Sequence, residues 1–137
     1  MIVALAAVGT TSMTLLAQTV VAPSGLKWVE DPRRPGIQSA TLVGDPSKPG
    51  PYTRRFKLPP RTVLPPHWHP EDRQVTTLSG TWYVGHGTSN DPARATKVVP
   101  GAFLVQPAKS VHYEFTGDGE VIVQVSGIGP TATEYVK

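Results

Sequence analysis

Three histidines carry the chemistry open to this sequence. His67 and His69 stand two residues apart in Pro65-Pro66-His67-Trp68-His69-Pro70-Glu71-Asp72. Side chains of an extended strand alternate between faces, so the two imidazoles project to one side and Trp68 to the other. Two imidazoles on one face are half of a metal site, and imidazole nitrogen suits zinc, copper, iron and nickel. A further ligand has to come from elsewhere in the chain. His112, in Pro107-Ala-Lys-Ser-Val-His112, is the natural candidate, because a turn delivers it to the start of the next strand. Gln74 supplies an amide oxygen if the local register slips by one residue. His86, between Gly85 and Gly87, reads as a structural or surface-turn histidine and not as a ligand.

The elements that must position these residues are short strands separated by turn signals. Leu26 to Glu30, Gln38 to Val43, Tyr52 to Leu58, Thr96 to Val99, Phe103 to Gln106, Val111 to Phe115 and Glu120 to Gln124 are expected strands, and Val75 to Val84 a strand pair bent at Ser79-Gly80. Asp45 to Pro51, Pro100-Gly101, Pro107 and Gly117-Asp118-Gly119 are loops or turns. Pro59-Pro60 and Pro65-Pro66 bracket a segment expected at a sheet edge or flanked by turns, because proline cannot donate to a central ladder. No stretch has the period of a three-turn amphipathic helix. The expected architecture is therefore all-β, a sandwich or barrel.

The totals agree. A chain of 137 residues is one domain's worth, and fifteen prolines and thirteen glycines suit many short extended segments. The formal charge is +3, but the basic residues are scattered or come in pairs such as Arg33-Arg34 and Arg54-Arg55, with no run interleaved with aromatics that would mark a nucleic-acid partner. Without cysteine there is no disulfide framework, thiolate ligand or thiol nucleophile. Residues 1–22 are different in kind. They are apolar and uncharged, and Gly9-Thr10-Thr11-Ser12 breaks them before they reach the roughly 20 residues of a membrane span. They are expected to be a signal peptide or a docking strand, with 23–137 as the domain. The first alternative places the protein outside the cytoplasm, the second within it.

The histidine spacings resemble those of the cupin superfamily. Its first motif, His-x-His with a glutamate three or four residues later and then a glycine, is met here by His67, His69 and Gly80; its second, Pro-x-Gly-x-x-His, by Pro107 and His112. The stretch from Lys27 to Val136 is similar to small, often exported, bacterial cupin-domain proteins, on the phrases Gly44 to Pro51, Pro65 to Asp72, Leu78 to Thr81 and Val125 to Pro130. The resemblance implies a single-domain cupin, a jelly-roll type β-barrel, with a divalent ion (iron, manganese, zinc or nickel) in its mouth, a small-molecule ligand and a homodimeric assembly.

Two departures stand at the motifs. Arg73 occupies the position of the family's metal-binding glutamate, and Lys109 that of the second motif's glycine. A guanidinium has no lone pair to offer and stays protonated, so Arg73 is no ligand. The resemblance then implies a three-histidine site, as in cupin iron enzymes that lack the carboxylate. Three neutral imidazoles beside an arginine leave the ion's charge uncompensated, which favours an anionic or enolisable substrate gripped by Arg73. Alternatively Arg73 turns outward and pairs with Glu71 or Asp72 on the surface. Glu71 either orients a ligand imidazole or is exposed after Pro70. Tyr83, Phe103, Val105, Tyr113 and Phe115 are barrel core, and Tyr83, Phe103 and Tyr113 are candidates to line the pocket. Three function classes stay open: a metal-dependent enzyme of oxygenase, lyase or isomerase type; a non-catalytic cupin with a degenerate site, to which Arg73 gives weight; and an assembly protein docking through its apolar N-terminus.

Overall fold

The computed structural model describes residues 18–137. Residues 1–17 of the N-terminal segment lie outside the described residues. Residues 18–22 have no regular secondary structure and are exposed. Among the described residues no helix is long and apolar enough to cross a membrane.

Eleven strands follow in the order β1 Val29–Glu30, β2 Gln38–Val43, β3 Gly50–Leu58, β4 Val63–Trp68, β5 Arg73–Ser79, β6 Trp82–His86, β7 Thr96–Val98, β8 Phe103–Gln106, β9 His112–Thr116, β10 Val121–Gly129 and β11 Glu134–Tyr135. They form two antiparallel sheets, β1-β2-β3-β10-β5-β8 and β11-β4-β9-β6-β7. This is the expected all-β jelly roll. Tyr52, Leu58, Val75, Val123 and Val125 of the first sheet meet Leu64, Trp82 and Val84 of the second in one apolar core. Trp82 is fully buried, and its indole N–H donates to Thr77 at 2.9 Å, so the largest core side chain leaves no unpaired polar atom.

Three expectations are refined. The first strand shortens from Leu26–Glu30 to Val29–Glu30. Val75 to Val84 holds the two strands expected, broken at Ser79-Gly80, but β5 and β6 lie in different sheets and do not pair with each other. The chain crosses between the sheets at Gly80, where φ is +77° and a Cβ would come within 2.1 Å of the Glu120 carbonyl, a place open only to glycine. The segment with Pro65-Pro66 is the turn-flanked strand of the two alternatives and not an edge, because β4 lies between a turn at Pro60-Arg61 and a bend at Pro70-Glu71 and pairs with β9 on one side and with the two-residue β11 on the other. The prolines are tolerated because the β4–β9 register shifts between Leu64 and His67, a bulge where no ladder donor is needed.

Lys109 replaces the second motif's glycine without changing the turn. Its φ is +62°, in the left-handed region, and its N–H donates to the His69 carbonyl at 2.7 Å, tying the turn before β9 to the end of β4. A non-glycine residue held there is strained by about 1–2 kcal/mol. Lys109→Gly is therefore expected to raise stability by about 1 kcal/mol, read as a higher urea midpoint at unchanged slope.

Candidate metal centre

The bulge at Pro65-Pro66 decides which way the histidines face. Leu64 and His67 have opposite parity along the chain, yet both are buried toward the barrel interior, because the extra residue restores the phase. His69 follows in the same sense just past the strand. His112, at the start of β9, lies directly opposite His67 in the register. The three imidazoles are buried, with ring centroids 4.4–5.0 Å apart, and one nitrogen of each lies within 4.8 Å of the others.

Backbone carbonyls fix the orientation of each ring. The Nδ1–H of His67 donates to Pro65 at 2.7 Å, that of His69 to Ala132 at 2.8 Å and that of His112 to Ser110 at 2.9 Å. In a neutral ring this leaves Nε2 as the lone-pair nitrogen, the tautomer that a metal ligand needs. The Nε2 of His112 is buried and has no hydrogen-bond partner, while that of His69 accepts from Arg73 Nη1 at 3.0 Å. Burial lowers the pKa of His67. Burial, together with the charge of Arg73, lowers that of His69 to about 2, so both rings are neutral.

Arg73 points inward and also pairs with Glu71, so the two alternatives for it merge. It is 8% exposed, and its Nε donates to Glu71 Oε1 at 2.8 Å while Nη2 donates to Thr131 Oγ1 and, at 3.3 Å, to the Ala132 carbonyl. An outward Arg73 is excluded, and Asp72 is not its partner, since Asp72 accepts from the Ala108 N–H at 2.7 Å. Glu71 is not exposed. Its Oε1 also accepts from Tyr52 at 2.7 Å and from Thr131. Burial pushes the Glu71 pKa up, but these donors and the charge of Arg73 outweigh it and hold the carboxyl below its ordinary value. Glu71 thus acts on His69 indirectly, by holding the arginine that touches it.

Other candidates fall away from the histidines for one reason, strand alternation. Gln74 follows the inward Arg73 on β5 and is exposed on the opposite face, so no slip brings its amide to the site. Tyr83 stacks on Phe115 on the outer side of its sheet, at 4.9 Å between ring centroids. Phe103 and Val105 on the edge strand β8 are more than half exposed and belong to no core. Tyr113 is buried as expected, but on the far face of β9, where its hydroxyl donates to the Asp91 carbonyl at 2.6 Å. His86 ends β6 opposite His112 in register, yet it is exposed and stands outside the histidine group.

One residue of the centre was missed. Glu114 is buried, its Oε1 accepting from Gln106 Nε2 at 2.6 Å and standing 3.7 Å from His112 Nε2. No lysine or arginine among the described residues pairs with it. The signal was available: Glu114 is two residues beyond His112, and alternation puts both on one face. It also changes the charge argument. Glu71 neutralises Arg73, so the site is not three imidazoles beside a bare cation but three imidazoles with a buried carboxylate 3.7 Å from His112 Nε2. Buried charges are normally paired or bound to metal. The partnerless Nε2 of His112 beside Glu114 therefore fits a divalent cation. The adjoining cavity, lined by His67, His69, Arg73, Trp82, Gln106 and Glu114 among others, measures about 40 Å³. Only a few atoms fit inside.

Comparisons with known proteins follow this geometry. Residues 16–130 match the profile of the ChrR cupin-like domain. A 66-residue stretch is 39% identical to Germin-like protein 8-12 of Oryza sativa subsp. japonica, covering 47% of this chain but only 30% of that protein. Among solved structures, the polyketide cyclase RemF from Streptomyces resistomycificus superposes with a TM-score of 0.71 at 21% identity, over 88% of this chain and 87% of that one. The DMSP lyase DddQ from Ruegeria pomeroyi DSS-3 gives 0.65 at 18% identity over 82% and 62% of the two chains. KdgF from Halomonas sp. gives 0.63 at 17% over 82% and 96%. At these identities the structures share the fold.

The neutral, buried imidazoles make the metal-free protein sensitive to acid. In the unfolded chain a histidine takes up a proton near pH 6.5, whereas folded His69 resists protonation down to about 2. Its contribution to stability is thus complete above 6.5 and is lost progressively as pH falls through that window. Metal-free protein should lose about 1 kcal/mol per pH unit from His69 between pH 6.5 and 5, and His69→Gln should flatten the curve by that slope in urea unfolding.

Proposed function

This chain belongs to the ChrR cupin-like domain family, and we propose that it binds one divalent metal ion through His67, His69 and His112 and acts on a small anionic or enolisable molecule. The observation that carries the reading is the convergence of the three buried imidazoles, with the Nε2 of His112 free of any hydrogen bond and 3.7 Å from the Glu114 carboxylate. A bound ion would supply Lewis acidity or, if iron, oxygen activation. The chain's own groups complete the site. Arg73, anchored by Glu71 and Thr131, places a fixed donor at the edge of the cavity, where it can stabilise negative charge developing on a substrate oxygen. Glu114, held by Gln106, offers an acceptor on the opposite side for a substrate proton. Phe56, Leu58, Val75 and Trp82 exclude water around them. The names of the structural neighbours, among them a cyclase, a lyase and a sugar phosphate isomerase, fit a fold that hosts varied chemistry on small molecules.

One observation favours a non-catalytic reading: Arg73 Nη1 occupies the lone pair of His69 that a metal would use. Binding through all three histidines has to displace that hydrogen bond, so the native affinity is lower than with a carboxylate at position 73.

Protein purified without added metal should contain close to one ion per chain by elemental analysis, or take one up from zinc or manganese. His112→Ala should abolish stoichiometric binding while His86→Ala preserves it; equal loss in both would refute the trio. Arg73→Glu removes the competing donor and adds a carboxylate, and should tighten zinc or manganese binding at least about tenfold in competition titrations. An unchanged dissociation constant would overturn the role given to Arg73.

A further inference from the structure

A second arginine on the barrel's inner face is left without a counter-charge. On β3, Tyr52, Arg54, Phe56 and Leu58 share the face that looks inward, with Arg55 and Lys57 on the other. Arg54 is half-buried. Its single side-chain hydrogen bond among the described residues runs from Nη2 to Ser39 Oγ at 2.7 Å, and its Nε is buried with no partner. Its guanidinium lies 4.6 Å above the Phe56 ring, which holds the plane of the fork in place. No carboxylate among the described residues is within ion-pair distance of it. Burial and the like charges of Arg73 and Arg34 all push its pKa below the ordinary arginine value.

Arg54 lines a cleft of about 330 Å³, large enough for a small organic molecule. Four arginines border this cleft, Arg33, Arg34, Arg54 and Arg73, against the carboxylates of Glu30 and Asp31. Arg34 pairs with Asp31, Arg73 pairs with Glu71, and Glu30 accepts from the Gly36 N–H. The excess positive charge is therefore concentrated on Arg54, with Arg33 exposed at the rim. Arg34, Phe56 and Arg73 also line the small cavity at the histidines, so the cleft adjoins the candidate metal centre across these three side chains.

We propose that this cleft is a carboxylate-binding site, in which Arg54 receives the carboxylate of a small organic acid whose remaining atoms lie along Phe56 toward Arg73 and the histidines. A guanidinium fork and a carboxylate are matched in shape and charge, and an anion there partners a group now desolvated without compensation. The cavity at the histidines admits only the few atoms that react, while the cleft holds the rest of the molecule. This names the substrate class for the proposed function and rests on that reading for what happens after binding. Binding to Arg54 itself needs no metal.

The test uses full-length, chelator-treated protein and amide NMR titration with propanoate and with propanamide, its uncharged counterpart of the same shape. Propanoate should saturate below about 10 mM and shift amides around Ser39, Arg54, Phe56 and Thr131, with propanamide at least about tenfold weaker. Arg54→Gln should weaken propanoate by at least about tenfold, and Arg33→Gln by no more than about twofold. Equal binding of acid and amide by the wild-type protein would overturn the proposal without any variant, as would unchanged binding by a folded Arg54→Gln protein. Metal uptake without propanoate binding would sink this site and leave the metal reading standing; propanoate binding without metal uptake would do the reverse.

Discussion

A guanidinium cannot shed its proton to ease burial, so Arg73 can lie inside the barrel only with an anion beside it. Glu71 is that anion, and the rest of the site is organised around the pair. One carboxylate oxygen collects Tyr52 from β3, Arg73 from β5 and Thr131 from the segment after β10. The same arginine reaches His69, whose other nitrogen is held by the Ala132 carbonyl. Separate parts of the chain are thus locked to one imidazole. Removing either charge would leave the other buried and unpaired, which typically costs about 3–5 kcal/mol.

With Arg73 neutralised, two half-buried or buried charged groups among the described residues, Glu114 and Arg54, have no lysine, arginine or carboxylate within ion-pair distance. Glu114 stands next to His112, held by Gln106 and short of a cation. Arg54 stands beyond Arg73, short of an anion. Opposite charges kept apart in a low-dielectric interior would close on each other if the backbone allowed it. Here they are mounted on different strands, Glu114 on β9 and Arg54 on β3, and no ion pair joins them. The carboxylate lies beside the histidines and the arginine in the adjoining cleft.

The same economy of parts appears in the turns. Pro65 and Pro66 would weaken an ordinary central strand, but they fall at a register shift where their missing N–H groups go unused. That shift is also what brings His67 onto the face of Leu64. Lys109 accepts a left-handed conformation because its N–H ties the turn to the His69 carbonyl. Local strain at Lys109 therefore lies within the frame that aligns the histidines.

The sequence by itself determined the all-β class, most strand positions and the histidine trio, because alternation and turn chemistry act over a few residues and are written in neighbouring letters. It also marked Arg73 as the anomaly. Whether Arg73 faced in or out was a question only the fold could answer, since its partner Thr131 lies 58 residues away along the chain and Tyr52, which donates to the same Glu71 oxygen, belongs to another strand. Tyr83, Phe103 and Tyr113 show the converse limit. Their aromatic character suggested a pocket, but which face of a strand turns inward depends on the sheet it joins, and each of the three points away from the histidines. Glu114 was legible from its spacing to His112, whereas the isolation of Arg54 was not. That a charge has no partner follows from everything packed around it, and only the tertiary structure decides that.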